Sequence, residues 1–64
     1  MNLGNVFKEL GRLEEAVASY QKAIDNKSDY AEAYYNLGSS LNKLGRLDKA
    51  VTSYHRALDI KPDY

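Results

Sequence analysis

The chain has 64 residues, which allows one domain near the lower size limit for a self-sufficient core. Nine basic and nine acidic residues give no net charge, so binding along nucleic-acid phosphates has no electrostatic support. No apolar run reaches the ~18 residues that span a membrane, and the lack of cysteine excludes disulfides and thiolate metal sites. Nucleic acid and membrane are therefore not predicted partners.

The sequence repeats itself with a period of 34 residues. LGNVFKELGRLEEAVASYQKAI at 3–24 returns as LGSSLNKLGRLDKAVTSYHRAL at 37–58, and 16 of the 30 aligned positions are identical. A fixed period of this length is the signature of an architecture in which similar units stack on one another.

The first copy predicts a helix near 1–10, a short turn and a second helix near 14–26. Gly11 can take the left-handed conformation that closes a helix, and Glu14 and Glu15 suit the positive dipole end of the next one. The second helix carries one apolar face at helical spacing, made of Ala16, Val17, Tyr20, Ala23 and Ile24.

The junction between the copies predicts a helix start near residue 31. Asp29 followed three residues later by Glu32 is a capping box, which places the N-cap of the third helix at Asp29. Ser28 stands where the second copy has Pro62, and serine does not forbid helix. The alternative is fusion of the second and third helices across Ser28, which would open the hairpins and invite domain swapping.

The second copy predicts helices near 31–44 and 48–60, separated by a turn at Gly45 and with an acid, Asp48, at the start of the last helix. The first of these helices has an apolar stripe at spacings of three and four, made of Tyr34, Leu37, Gly38, Leu41 and Leu44. A helical glycine costs up to about 1 kcal/mol relative to alanine, so Gly38 predicts a close backbone approach. Ala50 and Tyr54 are the predicted small and large neighbours.

This pattern resembles the tetratricopeptide repeat (TPR) family. The matching positions are an aromatic, a leucine, a glycine, two small residues with an aromatic between them and a proline, at Tyr34, Leu37, Gly38, Ala50, Tyr54, Ala57 and Pro62. The resemblance implies an all-α fold of four helices, in which antiparallel helix-turn-helix repeats stack as an α-solenoid with a right-handed superhelix. It divides the chain into repeat 1 at 1–30, lacking its first four residues, and a complete repeat 2 at 31–64, with no capping helix after it.

The resemblance also implies a concave face that binds an extended peptide as a protein-protein interaction module. The residues it places there are Met1, Asn2, Asn5, Lys8, Glu9, Glu32, Tyr35, Asn36, Ser39, Asn42 and Lys43. Asn2 and Asn36 share a register, and an amide can both donate to and accept from a peptide bond. They are similar to the asparagine ladder of the TPR superhelix in the enzyme that attaches N-acetylglucosamine to proteins. The alternative is a family consensus with no specific ligand. A clamp for acidic chaperone tails would need a lysine where Met1 and Tyr35 stand.

Two further expectations concern chemistry and self-association. His55 is the sole histidine, so neither a metal site nor a catalytic triad is predicted, and the chain is expected to be no enzyme and to need no cofactor. Repeat arrays normally need capped ends, and no cap is predicted after helix 48–60. Val51 and Leu58 are expected to be partly bare there, and copies to associate end to end as an alternative structural role.

Overall fold

The structure is a computed structural model that describes the backbone of residues 3–63 and the side chains of residues 9–63. Its described part contains three α-helices and no strand: α1 (Leu3–Asn26), α2 (Ala31–Lys43) and α3 (Leu47–Ile60). The all-helical prediction is confirmed, but three helices stand where four were expected. Met1, Asn2 and Tyr64 lie outside the described residues.

The difference lies in the first copy, where α1 runs without interruption through Gly11. The predicted turn at Gly11 is wrong, and so is the prediction that Glu14 and Glu15 begin a new helix. Gly45 has a positive φ of 82°, whereas Gly11 is not among the glycines with positive φ. The tetrapeptide Leu-Gly-Arg-Leu at 10–13 and 44–47 therefore has two conformations in one chain: helix in the first copy and turn in the second.

Local sequence and packing explain the two conformations. Around Gly11 the chain offers good helix formers, with Glu14 in place of Asp48, and Glu9 forms an ion pair with Arg12 across the glycine at 3.6 Å. Apart from the two adjacent residues and the backbone of the same helix, no described atom lies within 4 Å of the position of a Cβ atom at Gly11. Since nothing packs there, local preference decides, and it favours continued helix.

The turn between α1 and α2 spans residues 27–30, so the chain breaks across Ser28 as predicted, and the fusion alternative is wrong. The amide of Tyr30 donates to the carbonyl of Lys27 at 3.2 Å, and the Lys27 ammonium lies 5.6 Å from the centre of the Tyr30 ring. The N-cap of α2 is Tyr30, and it makes no side-chain cap hydrogen bond. The capping box at Asp29 is therefore wrong, because the helix begins one residue later than that motif requires.

The turn between α2 and α3 matches the prediction in detail. Gly45 follows the last residues of α2 in the left-handed conformation, and its amide donates to the carbonyl of Asn42 at 3.0 Å. The amide of Arg46 donates to the carbonyl of Leu41 at 2.9 Å, which completes a Schellman motif. Asp48 lies in the first turn of α3, where its charge suits the helix dipole.

The core forms where α2 packs between α1 and α3. Its buried members are Ile24, Ala33, Leu37, Leu41 and Ala50, and the partly buried residues packed on them are Val17, Tyr20, Ala23, Tyr34 and Tyr54. Among the described side chains of α1, residues 9–26, those that contribute to the core all lie in its second half. Within the described residues, no helix has both the length and the apolar character needed to cross a membrane.

Candidate functional site

The outward side of α2 forms one continuous polar surface, which we call the α2 face. With about 100° of rotation per residue, its members fall within an arc of about 120° that the core leaves uncovered. They are the six second-copy residues predicted from the sequence: Glu32, Tyr35, Asn36, Ser39, Asn42 and Lys43. Asn36 and Ser39 are half-buried, and the other four are exposed. The α2 face therefore lies on a helix that packs against both α1 and α3.

The first-copy candidates lie on a different helix. Glu9 is exposed on α1 and paired with Arg12. Asn5 and Lys8 belong to the first turns of α1, with side chains outside the described set, and Asn2 precedes the described residues. Arg46 lies just past the C-terminal end of α2 and contacts Glu14 of α1 at 2.6 Å. The residues of α1 that precede Glu14 therefore extend beyond that end of α2. The structure thus does not bring Glu9 alongside the α2 face.

A groove between α2 and α3 adjoins the α2 face, and we call it the tyrosine groove. It has a volume of about 300 Å³ and is lined by Tyr35, Tyr54, Ala57 and Leu58. The rings of Tyr35 and Tyr54 have centroids 5.5 Å apart with planes at 54°. Tyr35 belongs to both surfaces, so a ligand on the α2 face can place an apolar side chain in the groove.

Sequence reasoning missed this groove because it treated the α3 residues only as packing positions. Tyr54 and Ala57 were assigned to the interior of the hairpin, and Leu58 to an uncovered end. One signal was available: Tyr35 is the aromatic residue among the predicted surface positions of α2, and at 100° per residue it lies about 60° around the helix from Gly38, at the edge of the apolar stripe. An exposed aromatic beside such a stripe indicates a groove edge.

One exposed edge of α3 carries apolar side chains, Val51 and Leu58, and we call this edge the α3 face. Val51 is 52% exposed and Leu58 is 45% exposed, as expected from the sequence. Their first-copy counterparts are covered: Val17 packs on the core, and Ile24 is only 8% exposed. The two copies thus have equivalent apolar residues, with α2 covering those of the first copy only.

The described residues contain no group of three histidine, aspartate or glutamate side chains that could hold a metal ion. The ion pair between Glu14 and Arg46 joins α1 to the turn that follows α2, but both side chains are about half exposed. Such exposed pairs contribute little to stability.

Two family models match the chain. One, described as TPR repeat, matches residues 4–45, and the other, described as tetratricopeptide repeat, matches residues 31–64. The chain belongs to the TPR family. It carries two tandem TPR repeats, and TPR repeats generally mediate protein-protein interaction as non-catalytic scaffolds. A comparison with curated proteins found no match.

The two TPR matches cover segments with different backbone structures. The match to 31–64 contains the whole α2–α3 hairpin, with its turn at Gly45. The match to 4–45 runs through Gly11, where α1 is continuous. The sequence of the first TPR repeat thus fits the family at the point where its backbone departs from a helical hairpin.

Proposed function

We propose that this TPR pair binds an extended peptide on the α2 face. The observation that supports the proposal is the uninterrupted arc of six polar or aromatic side chains, none of which the core uses. The half-buried Asn36 is the central contact, because its amide can donate to and accept from one peptide bond. Tyr35 and the tyrosine groove offer an anchor for one apolar side chain of the peptide.

Charge would set the direction of the peptide. Glu32 lies in the first turn of α2 and Lys43 in the last, so the α2 face is acidic at one end and basic at the other. The two residues are separated by about 16 Å along the helix axis at 1.5 Å per residue. An extended peptide covers that distance in about five residues. A peptide with a basic residue and an acidic residue at that spacing would therefore match the surface.

Binding by this pair alone would be weak. Each hydrogen bond nets about 1 kcal/mol, whereas association costs about 4 kcal/mol or more. The repeat units proposed at 1–30 and 31–64 would form a right-handed superhelix if both were closed hairpins. Its concave side would then add Asn2, Asn5, Lys8 and Glu9 to the α2 face, and more contacts would raise the affinity.

The test is an NMR titration of the isotopically labelled chain with a pool of short capped peptides of randomised sequence. We expect shifts concentrated on the amides of 32–43 and a loss of these shifts in Asn36→Ala. Asn26→Ala is the matched control, since Asn26 is an exposed asparagine at the end of α1. Shifts that are unchanged in Asn36→Ala, or that lie away from α2, would contradict the proposal.

A second candidate function is end-to-end association of copies through the α3 face. The exposure of Val51 and Leu58, whose counterparts α2 covers in the first copy, favours it. The occupant would be the helix at the beginning of another copy, which corresponds to α2 in sequence. Leu58→Glu should abolish concentration-dependent association, while Thr52→Glu, on the other exposed side of α3, should leave it intact. Equal behaviour of the two variants would reject this role.

A further inference from the structure

Four residues of the α2 face lie almost in a straight line along the helix. They follow one another at spacings of four, three and four residues, so at 100° per residue they fall within an arc of about 60°. This alternation is the spacing at which two helices pair along a common seam. We call the four residues the α2 seam; in chain order they are an acid, an amide, a hydroxyl and a base, Glu32, Asn36, Ser39 and Lys43.

The α2 seam is the outermost ridge on its side of the molecule. The buried residues of α2 all lie on the other half of the helix, and Leu41, about 180° around from Glu32, lines a cavity between α1 and α3. Among the described residues, α1 and α3 do not contact each other. Both therefore lie behind α2, and a second helix has room to approach the seam.

The charges of the α2 seam complement those of a reversed copy of itself. Glu32 and Lys43 are both exposed, and neither forms an ion pair with another described residue. In an antiparallel pair of seams, each Glu32 lies opposite Lys43 of the other copy, whereas a parallel pair would oppose like charges. Between them, each Asn36 lies opposite Ser39 of the other copy, where the amide can donate to the hydroxyl or accept from it.

We propose that the α2 seam binds the α2 seam of a second copy in an antiparallel pair. The twofold axis passes between Leu37 and Gly38, midway along the seam. Such a contact uses the same surface on both copies and stops at two, whereas a head-to-tail contact through the α3 face would propagate. The two modes of association thus differ in stoichiometry and in the residues that they use.

Tyr35 adds an apolar contact to this polar pair. It is 46% exposed and lies about 60° around the helix from Glu32, on the side of α3. A twofold axis between antiparallel helices keeps the same flank of both on one side, so the two Tyr35 residues lie on the same side, about 8 Å apart along the helix direction. Their rings can meet across the axis, and burial of their apolar surface favours association.

The pairing goes beyond peptide binding and does not rest on it, but both use the α2 face. Stable complexes bury about 800 Å² on each partner, and one short helix ridge covers less than that. Association is therefore expected to be weak and to need high protein concentrations. A peptide bound on the α2 face would exclude the second copy, so each form of binding should weaken the other.

The experiment reverses the charges one at a time and then mixes the variants. Sedimentation equilibrium of the intact chain is measured with helicity recorded on the same samples. Glu32→Lys and Lys43→Glu should each weaken association by about tenfold or more, since two attractive pairs become two repulsive ones. An equimolar mixture should restore association, because every pair in the mixed dimer again joins an acid to a base. Asp25→Lys and Lys22→Glu change the net charge equally at exposed positions on α1, and should have no such effect.

The original chain provides a further readout that needs no variant. In a dilution series without peptide, amide shifts should concentrate at 32–43, and Val51→Glu, which charges the α3 face, should leave them unchanged. A monomer at every concentration up to about 1 mM would overturn the proposal. So would equal behaviour of the seam variants and the α1 controls, no recovery in the mixture, or loss of association in Val51→Glu alone. None of these outcomes bears on peptide binding, which the titration with peptides tests separately.

Discussion

Gly38 lies directly against Tyr54: a methyl group on the glycine would be 2.8 Å from Cε1 of the ring. It would also be 3.1 Å from the carbonyl oxygen of Ala50, which belongs to the backbone and cannot move aside. The ring of Tyr54 is held from another side by Tyr35. This contact sets how closely α2 and α3 approach. It explains why a glycine stands at position 38 despite its poor helix propensity.

Gly38→Ala should lower the free energy of unfolding, even though alanine is the better helix former. Overpacking costs about 1–3 kcal/mol, whereas the gain in helix propensity is at most about 1 kcal/mol. Urea unfolding followed by circular dichroism measures the balance. An unfolding midpoint equal to or above that of the original chain would show that the helices can separate at no cost.

Gly11→Ala and Gly45→Ala should have opposite effects, although both glycines stand in the same tetrapeptide. At Gly11 there is open space around a helical backbone, so alanine should stabilise α1 by up to about 1 kcal/mol. At Gly45 the φ of 82° would cost an alanine about 1–2 kcal/mol. Thermal melting of the two variants checks the signs. Destabilisation by Gly11→Ala would mean that a turn forms there.

The ion pair between Glu14 and Arg46 should contribute little. The two side chains meet at 2.6 Å but are 51% and 45% exposed. We expect a coupling free energy below about 1 kcal/mol that shrinks as salt is added. A double-mutant cycle with Glu14→Ala and Arg46→Ala, repeated at high salt, measures it. A larger coupling that does not respond to salt would show that this pair holds α1 against α2.

Ser28→Pro should stabilise the fold modestly. Pro62 occupies the same register in the second copy, and Lys27, which would precede the new proline, is already outside the helix. A proline that fits its site typically adds about 0.4–1 kcal/mol by restricting the unfolded chain. Chemical unfolding measures the change, with the α2–α3 hairpin as an unaltered internal reference. A drop in stability would indicate that the turn at 27–30 needs the backbone amide or the backbone freedom of Ser28, which proline removes.

The sequence allowed the second copy to be predicted almost completely. The turn at Gly45, the acid at the start of α3 and the close approach at Gly38 were all predicted and are present. These features agree because local preference and packing favour the same structure there. The α2 face was predicted in the same way, since its six residues are those that the apolar stripe leaves over.

The first copy could not be predicted by the same reasoning. Leu-Gly-Arg-Leu at 10–13 is identical to the turn sequence at 44–47, so a rule based on those four residues gives one answer for both. What differs is the packing around them. Asp29 failed as a cap for a related reason: the bond from Tyr30 to Lys27 fixes the entry to α2 one residue further on. The tyrosine groove was missed because it needs α2 and α3 in their final arrangement.

The tilted pair of Tyr35 and Tyr54 also gives the molecule its own optical label. The chain contains no tryptophan, so tyrosine dominates its near-ultraviolet spectrum, and these two rings are close enough to interact. The near-ultraviolet signal of these two rings reports the packing of α3 against α2. The far-ultraviolet signal of the backbone amides is weighted towards α1, the longest helix. The two spectral regions can therefore follow the loss of the hairpin and the loss of the long helix separately, with no dye attached.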